Sequence, residues 1–181
     1  MMISLDGYFE GPNHDLSWHN VDEEFNAFAI DQTSKIDTLI FGRRTYELMA
    51  NYWPKGAALE DDPVVAKQMN DMPKVVFSST LERVDWQNSR LATGNLKDEI
   101  LNLKKQAGNS LAVFGSNNLC VSLLDEGLLD EIRVIVNPVV IGAGTPLFAG
   151  IKRKLDLQLV GSRQFTSGNQ LLTYRPKVPV D

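Results

Sequence analysis

Three short polar segments each follow an apolar run, and their residue types suit the binding of an anion. Residues 42–45 read Gly-Arg-Arg-Thr, residues 78–79 are two serines, and residues 115–117 read Gly-Ser-Asn. Where such a segment opens a helix, the first backbone N–H groups of that helix lack intrahelical partners, and the helix dipole favours negative charge beside them. The chemistry that these segments predict is the binding of a phosphate.

The two arginines of the first segment admit two interpretations. Two guanidinium groups at a helix N-terminus are unfavourable with the helix dipole unless an anion neutralises them, and a phosphate would do so. Alternatively, Arg43 and Arg44 are surface residues that pair with Asp or Glu side chains. The small residues of the other two segments could likewise serve turn geometry alone. Taken together, the three segments favour a nucleotide or phosphate ligand.

The predicted elements bring these segments to one place. Each segment ends a predicted strand, and parallel strands joined by helices have all their carboxyl ends on one edge of the sheet, where ligands of open α/β folds bind. After residue 130 no further helix is expected. The fold class is therefore predicted as α/β, three-layer αβα, with a mixed sheet that is parallel in its first part and antiparallel at its C-terminal edge. Strands are expected at residues 1–5, 37–41, 74–77, 89–93, 111–114, 130–136, 154–165 and 171–175, and helices from residues 22, 43 and 118 and at residues 64–72 and 96–107. A loop is expected at the acidic residues 60–63, and Gly108 is expected to cap the helix at residues 96–107.

Composition bounds the class of protein. The chain has 181 residues, of which 43% are hydrophobic, which suits one globular domain spanning residues 1–181. Its 18 Lys and Arg against 23 Asp and Glu leave a formal charge of −5 without a dense basic run, so no nucleic-acid or membrane partner is expected. A single cysteine, Cys120, and the absence of a signal peptide predict a cytoplasmic protein. His14 and His19 lack a ligand-rich partner segment, so no metal site is expected.

Three carboxylates are candidate proton donors. Asp6 follows the first strand, and Asp22 and Glu24 open the first helix. At roughly 100° per residue, Asp22 and Glu24 flank the apolar stripe of that helix, whereas Glu23 points away from it. Each has a simpler explanation: Asp6 as a turn former, and the helical acids as charges that favour a helix N-terminus.

An ordered set of motifs links the chain to a known family. The matching pieces are residues 4–7, 42–47, 78–79, 114–117, 124–131 and 138–148. They resemble the dihydrofolate reductase-like superfamily, most closely the branch that includes the reductase domain of bacterial riboflavin biosynthesis. The resemblance implies one domain of that fold. Relatives have several apolar residues before the segment that matches residues 4–7, so either the first strand is truncated here or the start codon was assigned late. Residues 176–181 are expected to form a polar tail. Members of this family commonly form homodimers, which is therefore the expected assembly.

The resemblance also implies a reductase that takes hydride from NADPH and reduces a carbonyl or C=N group of a small heterocyclic substrate. Arg43 is then the candidate for the 2′-phosphate of the cofactor, and Trp18 resembles the tryptophan near the nicotinamide and substrate. The implied cofactor-binding residues are Gly42, Arg43, Arg44, Thr45, Ser78, Ser79, Gly115, Ser116 and Asn117. The candidate catalytic residues are Asp6, Trp18, Asp22 and Glu24.

One position departs from the family pattern. Riboflavin reductases have a glutamate immediately before the glycine turn, where it helps to hold the ribosyl substrate, and this chain has Phe114. An apolar ring cannot replace a carboxylate that hydrogen-bonds sugar hydroxyls, so a substrate other than 5-amino-6-(5-phosphoribosylamino)uracil is expected. Two other functions stay open: a non-catalytic nucleotide- or small-molecule-binding protein on the same fold, and a true dihydrofolate reductase.

Overall fold

The computed structural model describes residues 1–106, 108 and 110–177. The chain divides into two compact units, one formed by Met1–Asn26 with Cys120–Asp181 and the other by Ala27–Leu119. Two expectations fall partly outside the described residues: Ala107 at the end of the predicted helix, and residues 178–181 of the predicted tail.

Strands and helices are interspersed up to the sixth helix, and strands follow from there. The strands are β1 (Met2–Ser4), β2 (Tyr8–Glu10), β3 (Thr38–Gly42), β4 (Lys74–Phe77), β5 (Ser89–Leu91), β6 (Leu111–Val113), β7 (Ile132–Asn137), β8 (Thr145–Pro146), β9 (Leu157–Gln164) and β10 (Gln170–Pro176). The helices are α1 (Glu23–Thr33), α2 (Arg43–Ala50), α3 (Gly56–Asp61), α4 (Pro63–Asp71), α5 (Leu96–Lys104) and α6 (Asn117–Asp125), and a 3₁₀ turn lies at Pro12–His14.

The unit formed by Ala27–Leu119 contains a four-stranded sheet in the order β5-β4-β3-β6. All its strand pairs are parallel, which confirms the prediction for the first part of the chain. The central strand β3 is apolar along most of its length and buried, as expected where helices cover both faces of a parallel sheet. Its Leu39 and Phe41 pack with Val76 and Trp86 in the main hydrophobic cluster of this unit.

The other unit contains a four-stranded sheet in the order β1-β7-β10-β9 and a two-stranded sheet of β2 and β8. β10 is antiparallel to both β7 and β9, which confirms the predicted antiparallel C-terminal strands, while β1 is parallel to β7. Leu124, Ile132, Val134 and Leu147 form a buried cluster in this unit. The α/β class with parallel and antiparallel strands is thus confirmed. The strands form separate hydrogen-bonded sheets, in which β1 pairs with β7 and β6 pairs with β3.

Two local predictions are wrong. The acidic segment around residues 60–63, expected as a loop, contains the end of α3 and the start of α4. Asp62 caps α4, because its side chain accepts the Val65 N–H at 3.2 Å, and Pro63 occupies the first helical position. α5 ends at Lys104 with Lys105 as its C-cap in a right-handed conformation, so Gly108 does not cap it. None of the described helices is long and apolar enough to cross a membrane.

Candidate functional site

The start of α2 lies directly at the carboxyl end of β3. Gly42 is extended, with φ −80° and ψ 163°, and no side chain caps the helix. The Gly42 N–H instead donates to the buried Ser116 hydroxyl at 3.0 Å, which ties the end of β3 to the segment after β6. The first N–H groups of α2 thus have no side-chain cap, and uncapped N–H groups at a helix start can bind an anion.

The turn between β6 and α6 is held against α2 by a second contact. The Thr45 hydroxyl donates to the Gly115 carbonyl at 2.9 Å. Gly115 has φ +65°, and a Cβ atom at this position would lie 3.1 Å from the Thr45 methyl carbon. Glycine is required here by both its backbone conformation and the closeness of Thr45. The structure thus brings together residues 42–45 and residues 115–117, as the sequence predicts.

The serine pair follows the neighbouring strand at the same edge. Gly42 lies level with Phe77, the last residue of β4, so Ser78 and Ser79 come next along that strand. The Ser78 hydroxyl oxygen accepts the N–H groups of Thr80 at 3.1 Å and Leu81 at 2.9 Å, and thus stabilises a turn. Ser79 is exposed. All three segments therefore meet at the carboxyl edge of the parallel sheet.

The two arginines have different surroundings. Arg43 Nη1 donates to both carboxylate oxygens of Glu47, at 3.0 and 3.2 Å, and both side chains are 42% exposed. Arg44 is exposed and makes no hydrogen bond or ion pair with any residue that the structure describes. Arg43 therefore forms the ion pair that the second interpretation predicts. Sequence reasoning did not single out Glu47, although its i,i+4 spacing from Arg43 is a signal for a helical ion pair.

Two further side chains, those of Phe114 and Asn117, belong to the segment that follows β6. Phe114 is half-buried and packs against the hydrophobic cluster that contains Phe41. Its ring therefore extends the core of this unit. At the start of α6, the Asn117 amide nitrogen is buried and has no hydrogen-bond partner among the described residues. A buried donor without an acceptor is costly, so this amide is a candidate for contact with a ligand.

Asp6 forms hydrogen bonds with the loop that follows β7. Its carboxylate accepts the Gly142 N–H at 2.8 Å and the Ile141 N–H at 3.3 Å. The Ser4 hydroxyl, followed by these backbone donors, holds the pKa of Asp6 below its ordinary value. Because these donors favour the ionised form, Asp6 serves as an acceptor in the fold at neutral pH.

The two helical acids are also engaged. The Asp22 carboxylate caps α1 by accepting the Phe25 N–H at 2.8 Å through Oδ1. Glu24 accepts the Thr166 N–H and a hydrogen bond from Arg163, each at 2.8 Å. These contacts, the Thr166 N–H first, lower the pKa of Glu24 and favour its ionised form.

Trp18 lies in the loop before α1 and is half-buried. Its indole N–H donates to the Asp15 carbonyl at 3.1 Å, and its ring meets His19 edge-on with centroids 4.5 Å apart. Burial lowers the pKa of His19 and favours the neutral imidazole. Over residues 1–106, 108 and 110–177, no hydrogen bond or ion pair joins any two of the four candidate catalytic residues, and no cluster of three or more His, Cys, Asp or Glu side chains could hold a metal ion.

A buried asparagine network, which sequence reasoning missed, positions the segment before α1. Asn137 accepts the Asn20 N–H at 2.9 Å through its side-chain oxygen, and the Asn169 amide donates to the Asn20 carbonyl at 2.8 Å. Asn137 and Asn169 are fully buried. Their partners lie more than 100 residues away in sequence, at separations of 117 and 149, so no local pattern signals the network.

Comparison with known families matches residues 1–171 to the RibD C-terminal domain. The chain belongs to the RibD C-terminal domain family. The Bacillus subtilis (strain 168) protein YyaP is 32% identical over 174 residues, which cover 96% of this chain and 91% of YyaP. These findings confirm the resemblance that the motifs indicate.

Solved structures share the fold. A protein of Shewanella sp. PV-4 assigned to riboflavin biosynthesis is 25% identical, with a TM-score of 0.75 over 98% of this chain and 97% of that one. The Thermotoga maritima deaminase and 5-amino-6-(5-phosphoribosylamino)uracil reductase is 16% identical, with a TM-score of 0.68 over 97% of this chain and 55% of that one. Enterococcus faecalis dihydrofolate reductase, complexed with NADP(H) and RAB-propyl, is 15% identical, with a TM-score of 0.63 over 98% and 94% of the two chains. Family and fold together support a reductase.

Proposed function

We propose that the protein is an NADPH-dependent reductase of a small heterocyclic substrate with a carbonyl or C=N group. The observation that carries this proposal is the pair of hydrogen bonds, Gly42 to Ser116 and Thr45 to Gly115, that hold an uncapped helix start against a glycine turn. Such an arrangement suits the phosphates of a dinucleotide. Family membership supports the reductase class.

The residues at this edge fit the cofactor. A Cβ atom at Gly115 would lie 3.1 Å from Thr45 Cγ2, so glycine allows this turn to lie close against α2. The exposed Arg44 and the unpartnered amide of Asn117 offer donors to anionic oxygens. Residues 42–45 and 115–117 would hold the phosphates, with Arg43 at the 2′-phosphate and Ser78 and Ser79 at the adenosine. When bound, the cofactor supplies a hydride, and the chemistry of that transfer is its own.

The protein must then provide a proton. Both carboxylate oxygens of Asp6 and of Glu24 already accept hydrogen bonds. Asp22 uses Oδ1 for the helix cap, and its Oδ2 accepts no hydrogen bond from any described residue. We therefore propose that Asp22 Oδ2 holds the water that delivers the proton, and that Asp6 and Glu24 position the segments they bind.

The substrate is proposed to lack a phosphoribosyl chain. Phe114 occupies the position where riboflavin reductases have a glutamate, and its ring packs into the core. This residue also supports the alternative of a nucleotide-binding protein that has lost catalysis. True dihydrofolate reduction remains a third candidate, which the same experiments test.

Thermal denaturation with NADPH, with NADH and without a nucleotide tests the proposal. A nucleotide at about 100 times its dissociation constant should add about 2.7 kcal/mol to the free energy of unfolding. Absence of stabilisation by either nucleotide would refute the reductase and the nucleotide-binding alternative together. Turnover is then measured as NADPH oxidation with dihydrofolate and with a panel of heterocyclic carbonyl and C=N compounds. Binding without any oxidation favours the non-catalytic alternative.

We also propose a homodimer, on the basis of the family resemblance. Sedimentation equilibrium measures its mass directly, and a monomer at micromolar concentration would contradict this part of the proposal.

A further inference from the structure

Arg43, the residue proposed above to bind the 2′-phosphate, already forms an ion pair with Glu47. One guanidinium nitrogen of Arg43 donates to both oxygens of the Glu47 carboxylate, at 3.0 and 3.2 Å. The two residues lie one turn apart on α2, and each side chain is 42% exposed. A ligand in solution can therefore reach both partners.

A phosphate that binds Arg43 must compete with this carboxylate. A phosphate monoester carries about 1.5 to 2 negative charges near neutral pH. It gains the guanidinium as a partner only by displacing an existing pair of charge-assisted hydrogen bonds between Arg43 and Glu47. A nucleotide with a free 2′-hydroxyl has no phosphate to compete for Arg43, so the ion pair can stay intact when it binds.

We propose that Glu47 determines cofactor specificity: its carboxylate competes for Arg43 and thereby reduces the preference of this protein for NADPH over NADH. The inference rests on the proposed function, in which Arg43 contacts the 2′-phosphate. Glu47 acts through Arg43, so its effect must disappear when Arg43 is removed.

Nucleotide titrations of four variants test this. Dissociation constants for NADPH and NADH are measured by fluorescence for the wild type, Glu47→Gln, Arg43→Ala and the double variant. Exposed ion pairs contribute little, so Glu47→Gln should bind NADPH about two- to fivefold more tightly and leave NADH unchanged. The matched control is Asp71→Asn, which removes an equally charged partner from the i,i+4 pair of Lys67 and Asp71 on α4 and should change neither constant.

The double-variant cycle tests whether Glu47 affects NADPH binding through Arg43. In the Arg43→Ala background, Glu47→Gln should leave the NADPH constant unchanged within error. Equal tightening of NADPH and NADH, weaker NADPH binding in Glu47→Gln, or tightening that persists without Arg43 would each overturn the inference. Wild-type protein that binds neither nucleotide would refute the proposed function itself, whereas wild-type binding of NADPH with no effect of Glu47→Gln refutes only the role of Glu47.

Discussion

Replacing Gly115 by alanine tests the geometry of the turn that carries the proposed nucleotide site. Gly115 has φ +65°, and an alanine Cβ would lie 3.1 Å from Thr45 Cγ2 and 3.9 Å from Met49 Cε. The left-handed backbone costs alanine about 1–2 kcal/mol. Relieving the contact moves Thr45 and weakens its hydrogen bond to the Gly115 carbonyl, which contributes about 0.5–1.5 kcal/mol. We expect Gly115→Ala to destabilise the protein by about 2–3 kcal/mol.

Two further variants separate these terms in urea denaturation. Gly127 has φ +67° and no atom within 4 Å of an added Cβ, so Gly127→Ala should cost only the backbone component, about 1–2 kcal/mol. Thr45→Ser removes the methyl group and keeps the hydroxyl. In that background the cost of Gly115→Ala should fall to that of Gly127→Ala.

Two results of these denaturation experiments would contradict the reasoning. If Gly115→Ala costs no more than Gly127→Ala in the wild-type background, the close approach of Thr45 does not constrain this turn. If Thr45→Ser fails to reduce the cost, the contact is not the source of the extra destabilisation. Either result would refute the argument that glycine is needed here to keep the backbone beside α2.

Four other predictions follow from individual side chains. Arg43→Ala should lose most of the thermal stabilisation by NADPH while keeping that by NADH, and retained NADPH stabilisation would contradict the assignment of the 2′-phosphate. Burial lowers the pKa of Lys74 from 10.5 to about 8, so the unfolded chain binds more protons between these values. The free energy of unfolding of the wild type should therefore rise over this pH range by up to about 3 kcal/mol relative to that of Lys74→Met. Urea denaturation at a series of pH values measures this difference, and parallel pH profiles of the two proteins would disprove the prediction. Because the pKa of Glu24 is lower in the folded protein, its ionised carboxylate stabilises the fold at pH values above the ordinary pKa of a glutamate. This contribution to the free energy of unfolding is lost as the pH falls through the pKa of the folded state. Glu24→Gln should thus reduce stability at neutral pH and flatten the acid limb of the stability profile. Burial raises the pKa of Cys120 to about 11, so iodoacetamide should modify this thiol much more slowly in the native protein than after unfolding at neutral pH.

The sequence by itself determined the elements and their order at the candidate site. β3 is followed at once by Gly42 and α2, and β6 by Gly115 and α6, and each unit of strand, glycine and helix is visible as an apolar run that breaks at a small residue. The parallel and antiparallel parts of the chain followed from where helices separate the strands. The ordered motifs identified the family. These features depend on residues within about one helical turn of one another, and hydrophobic periodicity and helix capping are patterns over that distance.

Only the tertiary structure decided what the polar side chains bind. Gly42 donates to a serine 74 residues away, Glu24 pairs with an arginine 139 residues away, and Asp6 accepts an N–H 136 residues away. Two of the candidate acids are thereby held in their ionised form, which their positions in the sequence did not indicate. A carboxylate's protonation state depends on the donors that surround it in space, and the fold brings those donors from distant segments. Local sequence therefore identified the segments that meet at one edge of the parallel sheet, while long-range contacts determined which side chains there and in the other unit already have hydrogen-bond partners.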